Sequence, residues 1–236
     1  MDATSRAPRL AVVGKGGAGK SVVAATLARL LARRGHRVLA LDSDTLPGLS
    51  LSLGADVPDE PPLNAAAEQN EQGRWHLKRG IGPVRAVQRF STEAPDGVRV
   101  LQIGKTDRRG LQPVRPSHNA FFQIIHRIDV AQRFLLVVEP TWQSMLTARR
   151  IARIARTMRE DADFSLVVNK VTAEDDAERV QEFLDIPLTA VVPADEGVRS
   201  AERAGVALLD HAPDSPVVDA IERLADTLDV ASMQRS

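Results

Sequence analysis

Cysteine is absent from the 236-residue chain, so disulfides, thiolate metal sites and thiol redox chemistry are excluded at the outset. Tyrosine is absent as well, and aromatics make up only 3% of the residues, which argues against a surface that binds nucleic acid by stacking bases. Neither sign of charge is in excess. The 31 Lys and Arg balance 31 Asp and Glu, so nothing draws the whole molecule toward nucleic acid or an anionic membrane. No apolar run approaches the length needed to cross a bilayer, and the opening Met-Asp-Ala-Thr-Ser-Arg-Ala-Pro is short, polar and unlike a signal peptide. These absences lead to the expectation of a cytoplasmic protein without membrane contact. The length suits one α/β domain with a proper core.

What is present is concentrated in Gly14-Lys15-Gly16-Gly17-Ala18-Gly19-Lys20-Ser21. This octapeptide fits the G-x-x-x-x-G-K-[ST] phosphate loop, whose glycine N–H groups wrap a polyphosphate while the lysine reaches the terminal phosphates and the hydroxyl holds Mg²⁺. Lys20 and Ser21 take those two roles here. The apolar run Leu10-Ala11-Val12-Val13 precedes the loop and a helical pattern from Ser21 to Arg34 follows it, so a bound anion would meet a helix N-terminus. A purely structural turn is the alternative. Four glycines in six residues, at roughly 0.5–1 kcal/mol of conformational cost each, are more than such a turn requires.

Short apolar runs alternate with helical patterns along the rest of the chain, the signature of an α/β fold with a mostly parallel sheet and helices on both faces. Strands are expected at 9–14, 37–42, 98–104, 133–139, 164–170 and 188–193. Helices are expected at 20–34, 117–128, 143–159, 174–184, 196–204 and 215–229, the last opened by the cap Asp214-Ser215-Pro216. Residues 54–97 are rich in Pro, Gly, Glu and Gln and read as an irregular insertion over the nucleotide edge of a single domain spanning 1–236, with 230–236 as a tail.

Two further places carry chemistry. Leu41-Asp42-Ser43-Asp44 ends the second strand with carboxylates two apart, a spacing that puts both on one face. An N-cap or Asx turn is the plainer reading of each acid. The apolar strand Phe164-Ser165-Leu166-Val167-Val168 ends in Asn169-Lys170.

The second loop lysine, Lys15, gives Lys-Gly-Gly-Ala-Gly-Lys-Ser, which resembles the deviant phosphate loop of the MinD/ParA group. The chain is most similar there to the carbon monoxide dehydrogenase accessory (nickel-insertion) ATPases. The likeness covers roughly the first fifty residues and the last hundred. It implies that Gly14, Lys15, Gly16, Gly17, Ala18, Gly19, Lys20, Ser21 and Val22 contact ATP, and that Lys15 crosses a nucleotide-sandwiched homodimer to the partner's phosphates. Asp42-Ser43-Asp44 looks like the D-x-D switch of that group, implying Asp42 for the Mg²⁺ shell and Asp44 for positioning the attacking water, although Thr45 stands where proline is usual. Asn169 then reads the base edge. Thr172 replaces the Asp of guanine readers, which favours adenine. The run Val191–Val198 resembles the loop beside the adenine, bringing in Pro193 and Asp195.

The likeness breaks in the middle. The group's hydrophobic strand ending in D-x-x-[GA] should precede Val137-Val138-Glu139-Pro140 and is not recognisable; Asp129 and Glu139 are the acids available to substitute for its switch. The C-x-C nickel pair is missing too, and His118, in the corresponding stretch, reads as a solvated side chain before it reads as a metal ligand. Val22 replaces a hydroxyl that touches the α-phosphate in relatives. Binding is therefore better founded than turnover. The function expected is an ATPase with slow or impaired hydrolysis that clamps an unidentified partner protein. Two alternatives are a partition-type ATPase and a non-hydrolysing nucleotide-gated scaffold. In the partition reading, Arg149, Arg150, Arg153, Arg156 and Arg159 contact DNA while Met145, Ile151, Ile154 and Met158 form the buried side of their helix.

Overall fold

The computed structural model describes residues 9–104, 115–125, 131 and 133–233. In chain order its elements begin with β1 (Leu10–Val13), α1 (Lys20–Arg33), β2 (Leu39–Asp42), α2 (Gly48–Leu53), β3 (Ala67–Gln69) and β4 (Trp75–Leu77). Then come α3 (Pro83–Phe90), β5 (Thr92–Glu93), β6 (Arg99–Gln102), α4 (Arg115–Ile125), β7 (Arg133–Val138) and α5 (Trp142–Met158). The chain continues through β8 (Asp163–Val171), α6 (Asp176–Leu184), β9 (Leu188–Pro193), α7 (Glu196–Ala204), α8 (Leu208–His211) and α9 (Pro216–Met233). Every strand and helix expected from the sequence is represented, with residues 126–128 of the second expected helix and 234–236 of the tail outside the described residues.

The described residues fall into two compact units. The first lies within Met1–Leu27, Ala131–Ala204 and Leu208–Ser236 and is built on a fully parallel ladder ordered β1-β7-β8-β9. The inner strand β7 reads as an unbroken apolar run from Phe134 to Val138 because both its faces are covered, whereas β1 is half-buried along its length. On β7, Leu136 and Val138 enter a core with Met145, Ala148 and Ala152 of α5 and Val180 and Leu184 of α6. Leu135 and Val137 alternate to the other face and are equally buried. Thr141 caps α5, accepting a bond from the Ser144 N–H. Ser215 caps α9 in the same way through the Val217 N–H, as the sequence indicated.

The buried side of α5 differs from the expected one. Met145 is buried and Ile151 packs against the core, but Ile154 and Met158 face solvent. Small residues, Ala148 and Ala152, take the sheet side instead.

The second unit lies within Ala28–Val130 and Gly205–Ala207. It holds a ladder ordered β2-β6-β5, parallel between β2 and β6, and the separate antiparallel pair β3-β4. Among the described residues α4 is the only element between β6 and β7. Residues 54–97 are not irregular as expected: they carry β3, β4, α3 and β5. The hairpin strands are three residues each, too short to leave a period-two signal, and Asn70 Oδ1 closes their turn by accepting from the Gln72 and Arg74 N–H groups. Leu63, Phe90, Leu101, Ile103, Phe121 and Ile124 form the core of this unit. Buried Arg29 and half-exposed Arg33 meet at Asp96, at 2.6 and 3.0 Å.

Candidate functional site

The strand-to-helix turn between β1 and α1 is shaped by backbone approach. A Cβ at Gly14 would lie 2.2 Å from the carbonyl oxygen of Val137, and one at Gly19 would lie 2.2 Å from Asn169 Nδ2. Only glycine allows contacts that close. Gly16 and Gly17, by contrast, have no atom within 4 Å of a Cβ position, so one side of the loop is pinned to the protein and the other opens outward. Such a cradle fits a polyphosphate wrapped by main-chain N–H groups. The Ala18 N–H bonds back to the Lys15 carbonyl at 3.2 Å, and the Lys20 ammonium folds onto that same carbonyl at 3.0 Å. Lys15 itself has no ion-pair partner among the described residues. Ser21 and Val22 sit half-buried in the first turn of α1.

The loop is held from the end of β8. Asn169, buried, donates its amide to the Ala18 carbonyl at 2.8 Å. Lys170 adopts a left-handed backbone (φ 61°) where the β8–β9 register shifts, and its ammonium donates to the Gly17 carbonyl at 2.7 Å. The same ammonium is paired with Glu139, at the end of β7. Asn169 was expected to read a base; the bond it makes in this structure braces the loop. The sequence signals the clamp formed by Lys170 and Glu139 only through the Asn-Lys dipeptide closing a strand. Glu139, considered as a substitute switch acid, has its carboxylate committed to Lys170. Asp129, the other candidate, lies outside the described residues.

Residues 10–216 match the family described as the CobQ/CobB/MinD/ParA nucleotide binding domain. The chain belongs to this family. An uncharacterized ATP-binding protein of Methanocaldococcus jannaschii is 25% identical over 91% of this chain and 84% of its own length. The carbon monoxide dehydrogenase accessory protein CooC of Rhodospirillum rubrum is 23% identical over 87% of this chain and 90% of its own. Among solved structures, the septum site-determining protein MinD complexed with Mg-ADP from Pyrococcus horikoshii superposes with a TM-score of 0.60. It covers 96% of this chain and 98% of its own at 21% identity, a likeness of fold.

As a member of the CobQ/CobB/MinD/ParA family, the chain carries acids whose surroundings now have definite geometry. Asp42 closes β2 and is buried, so it does not share a face with exposed Asp44, which lies beyond the strand in a turn. Asp42 Oδ2 accepts from the Ser50 N–H and hydroxyl at 2.9 and 2.8 Å, and Oδ1 accepts from the Asp44 N–H at 3.4 Å. Burial pushes its pKa above the usual aspartate value, against those hydrogen bonds. Asp44 Oδ1 accepts from the Leu46 N–H at 3.0 Å, an Asx turn. Both acids thus have local structural partners: Ser50 occupies both lone pairs of Asp42 Oδ2, whereas Asp42 Oδ1 and the Asp44 carboxylate retain lone pairs for a metal-bound water.

Pro193 ends β9, and Asp195 follows. Asp195 Oδ1 accepts from the Gly197 N–H at 2.8 Å and the Ser215 hydroxyl at 2.9 Å, tying the start of α7 to the cap of α9 beside an open cavity of about 400 Å³. His118 packs its ring on Phe122 at 4.7 Å, and no group of three or more potential metal ligands occurs among the described residues. The α5 arginines are divided. Arg149 stacks on Phe183 at 3.7 Å, Arg156 lies over Phe164 at 5.3 Å, and Arg159, just past the helix, pairs with Asp161. Arg150 and Arg153 point to solvent. No helix among the described residues is long and apolar enough to cross a membrane.

Proposed function

We propose that this member of the CobQ/CobB/MinD/ParA family binds ATP with Mg²⁺ as a single nucleotide-binding domain and forms a nucleotide-sandwiched homodimer in the cytoplasm. Slow or impaired hydrolysis of ATP to ADP and phosphate then opens and closes a clamp on a partner protein, in the manner of a metalloenzyme-maturation factor. The observation that carries the reading is the cradle of Gly14–Ser21: pinned by Asn169 and Lys170 on one side and open at Gly16 and Gly17 on the other.

The main chain of residues 14–22 would hold the phosphates, Lys20 would supply positive charge at their end, and Ser21 and Asp42 are the side chains proposed for the metal shell. Mg²⁺, when bound, neutralises charge on the transferring phosphoryl group. Lys15, without an ion-pair partner among the described residues, is available to a second copy's nucleotide. Asp44 orients the attacking water, and Asn169, Pro193 and Asp195 line the base. The similarity to CooC supports a maturation role, and the similarity to MinD complexed with Mg-ADP supports the cofactors. The partition reading is weaker, because Arg149, Arg156 and Arg159 are engaged with Phe183, Phe164 and Asp161.

Single-turnover hydrolysis at saturating protein with Mg²⁺, beside a Lys20→Ala control, tests the reading. Phosphate release that the control lacks supports an ATPase. Tight ATP binding without release identifies the nucleotide-gated scaffold, and no ATP binding removes the proposal.

A further inference from the structure

Eleven large hydrophobic side chains stand exposed among the described residues, and four of them lie on α5. Trp142, Leu146, Ile154 and Met158 are 60, 44, 48 and 80% exposed. With Arg150 they are spaced four residues apart, an inclined ridge about 24 Å long that winds across the exposed side of the helix with Leu146, Arg150 and Ile154 at its middle. The ridge is fixed in place: α5 is anchored on the sheet through Met145, Ala148 and Ala152, and Trp142 packs edge-on against Phe183 of α6 at 5.0 Å. Arg150 and Arg153 on this face have no ion-pair partner among the described residues, and α5 contains no acidic residue at all.

The geometry points to this ridge as a docking surface for an acidic amphipathic helix of a partner protein. Its apolar side chains would take leucine-type anchors, and Arg150 and Arg153 would meet the carboxylates beside them. A second copy of the same helix does not answer the charge, since pairing α5 with itself sets arginine against arginine. A nucleic-acid backbone gains nothing from Trp142, Leu146, Ile154 and Met158. An anionic bilayer, being flat and broad, would also face the exposed carboxylates of Glu178, Glu182 and Asp185 on and after neighbouring α6, whereas a lone helix about 10 Å across seats on the middle of the ridge, at Leu146, Arg150 and Ile154. The surface is independent of the nucleotide reading, and so is its test.

Three fluorescein-labelled helical peptides of about 18 residues, with leucines three and four apart and a polar face of all Glu, all Gln or all Lys, are titrated with the full chain by anisotropy. The expected order is Glu, then Gln, then Lys, with about ten-fold between the extremes. The double variant Arg150→Glu/Arg153→Glu is expected to lose the Glu peptide about ten-fold and to gain the Lys peptide. Leu146→Ser/Ile154→Ser should weaken all three, with circular dichroism matching the parent. A Glu peptide that does not bind, or that binds the charge-reversed variant equally well, overturns the assignment. Sedimentation with phosphatidylglycerol vesicles and retention on duplex DNA run alongside. If the charge-reversed variant loses either one while the Glu peptide stays unbound, the ridge belongs to that partner and the proposal fails.

Discussion

Asn169 donates its side-chain amide to the carbonyl oxygen of Ala18 at 2.8 Å, joining the end of β8 to the middle of the glycine loop 151 positions earlier. Ala18 is fully buried, so no water can replace the bond easily. Asn169→Ala leaves that carbonyl unpartnered, at a cost of about 1–3 kcal/mol. Urea unfolding should show the loss, and ATP titration should show weaker binding, because the loop is released. Asn169→Asp should be worse, since a carboxylate would face a carbonyl oxygen. Unchanged stability in the alanine variant would mean that this bond does not hold the loop.

Gly19→Ala tests the same contact from the other side. The backbone at Gly19 has φ 87°, and the new methyl would sit 2.2 Å from Asn169 Nδ2. Strain in the left-handed region costs on the order of 1–3 kcal/mol by itself, and displacement of Asn169 adds to it. The variant is expected to unfold at lower urea and to bind ATP more weakly than Asn169→Ala does. Gly16→Ala, which meets nothing within 4 Å, should leave stability near the parent.

How much of this was legible beforehand follows from where the information lies. The strands bearing Leu10–Val13 and Phe164–Val168 announce themselves by short runs rich in apolar, β-branched residues, and the loop because its glycines serve no ordinary turn. The hairpin Ala67–Gln69 with Trp75–Leu77 did not, since three residues cannot display a period. Ile154 and Met158 are hydrophobic without being buried, because Ala148 and Ala152 are the side chains that let α5 lie close on the sheet. Spacing alone puts Asp42 and Asp44 on one face, but β2 stops at Asp42 and the chain turns. Lys170 depends on a backbone of positive φ at a register shift, a feature that no residue pattern announces.

Lys170 and Glu139 separate a loop clamp from a catalytic acid. The pair is partly exposed, with Lys170 at 49%, so Lys170→Met should change folding stability by no more than about 1 kcal/mol. ATP affinity is expected to fall, because the Gly17 carbonyl loses its donor. Glu139→Gln, which can still accept a bond from Lys170, should give a milder version of the same effect. If Glu139→Gln instead kept full ATP affinity and abolished phosphate release, Glu139 would be the substitute switch acid and the clamp reading would be wrong.

Asp96 and Asp42 should leave opposite marks on stability against pH. Burial alone would raise the Asp96 pKa, but hydrogen bonds from Arg29 and Arg33 hold it below the usual 3.8. Its contribution is therefore complete above that value and is lost as pH falls through the lower folded value. Asp96→Asn keeps a residue tolerant of the φ of 61° found there. It should cost about 1–3 kcal/mol at neutral pH and flatten the acid limb of the profile. Asp42, whose pKa burial raises, penalises the fold once ionised; that penalty disappears as pH falls from the folded pKa toward 3.8. Asp42→Asn should remove this relief. Urea midpoints measured from acid to neutral pH check both slopes.

Lys15 decides whether the loop serves one chain or two. It sits half-buried at the loop's entry, its carbonyl already bonded by the Ala18 N–H and by Lys20, while its own ammonium has no ion-pair partner among the described residues. A lysine kept for the same chain's phosphates would duplicate Lys20. Lys15→Ala is therefore expected to retain monomeric ATP binding within a few-fold and to abolish ATP-dependent dimerisation, whereas Lys20→Ala should lose binding outright. Sedimentation velocity with ATP, ADP and no nucleotide distinguishes the two variants. A Lys15→Ala protein that still dimerises only with ATP would remove this residue from the interface. One that fails to bind ATP at all would return Lys15 to its own chain's nucleotide.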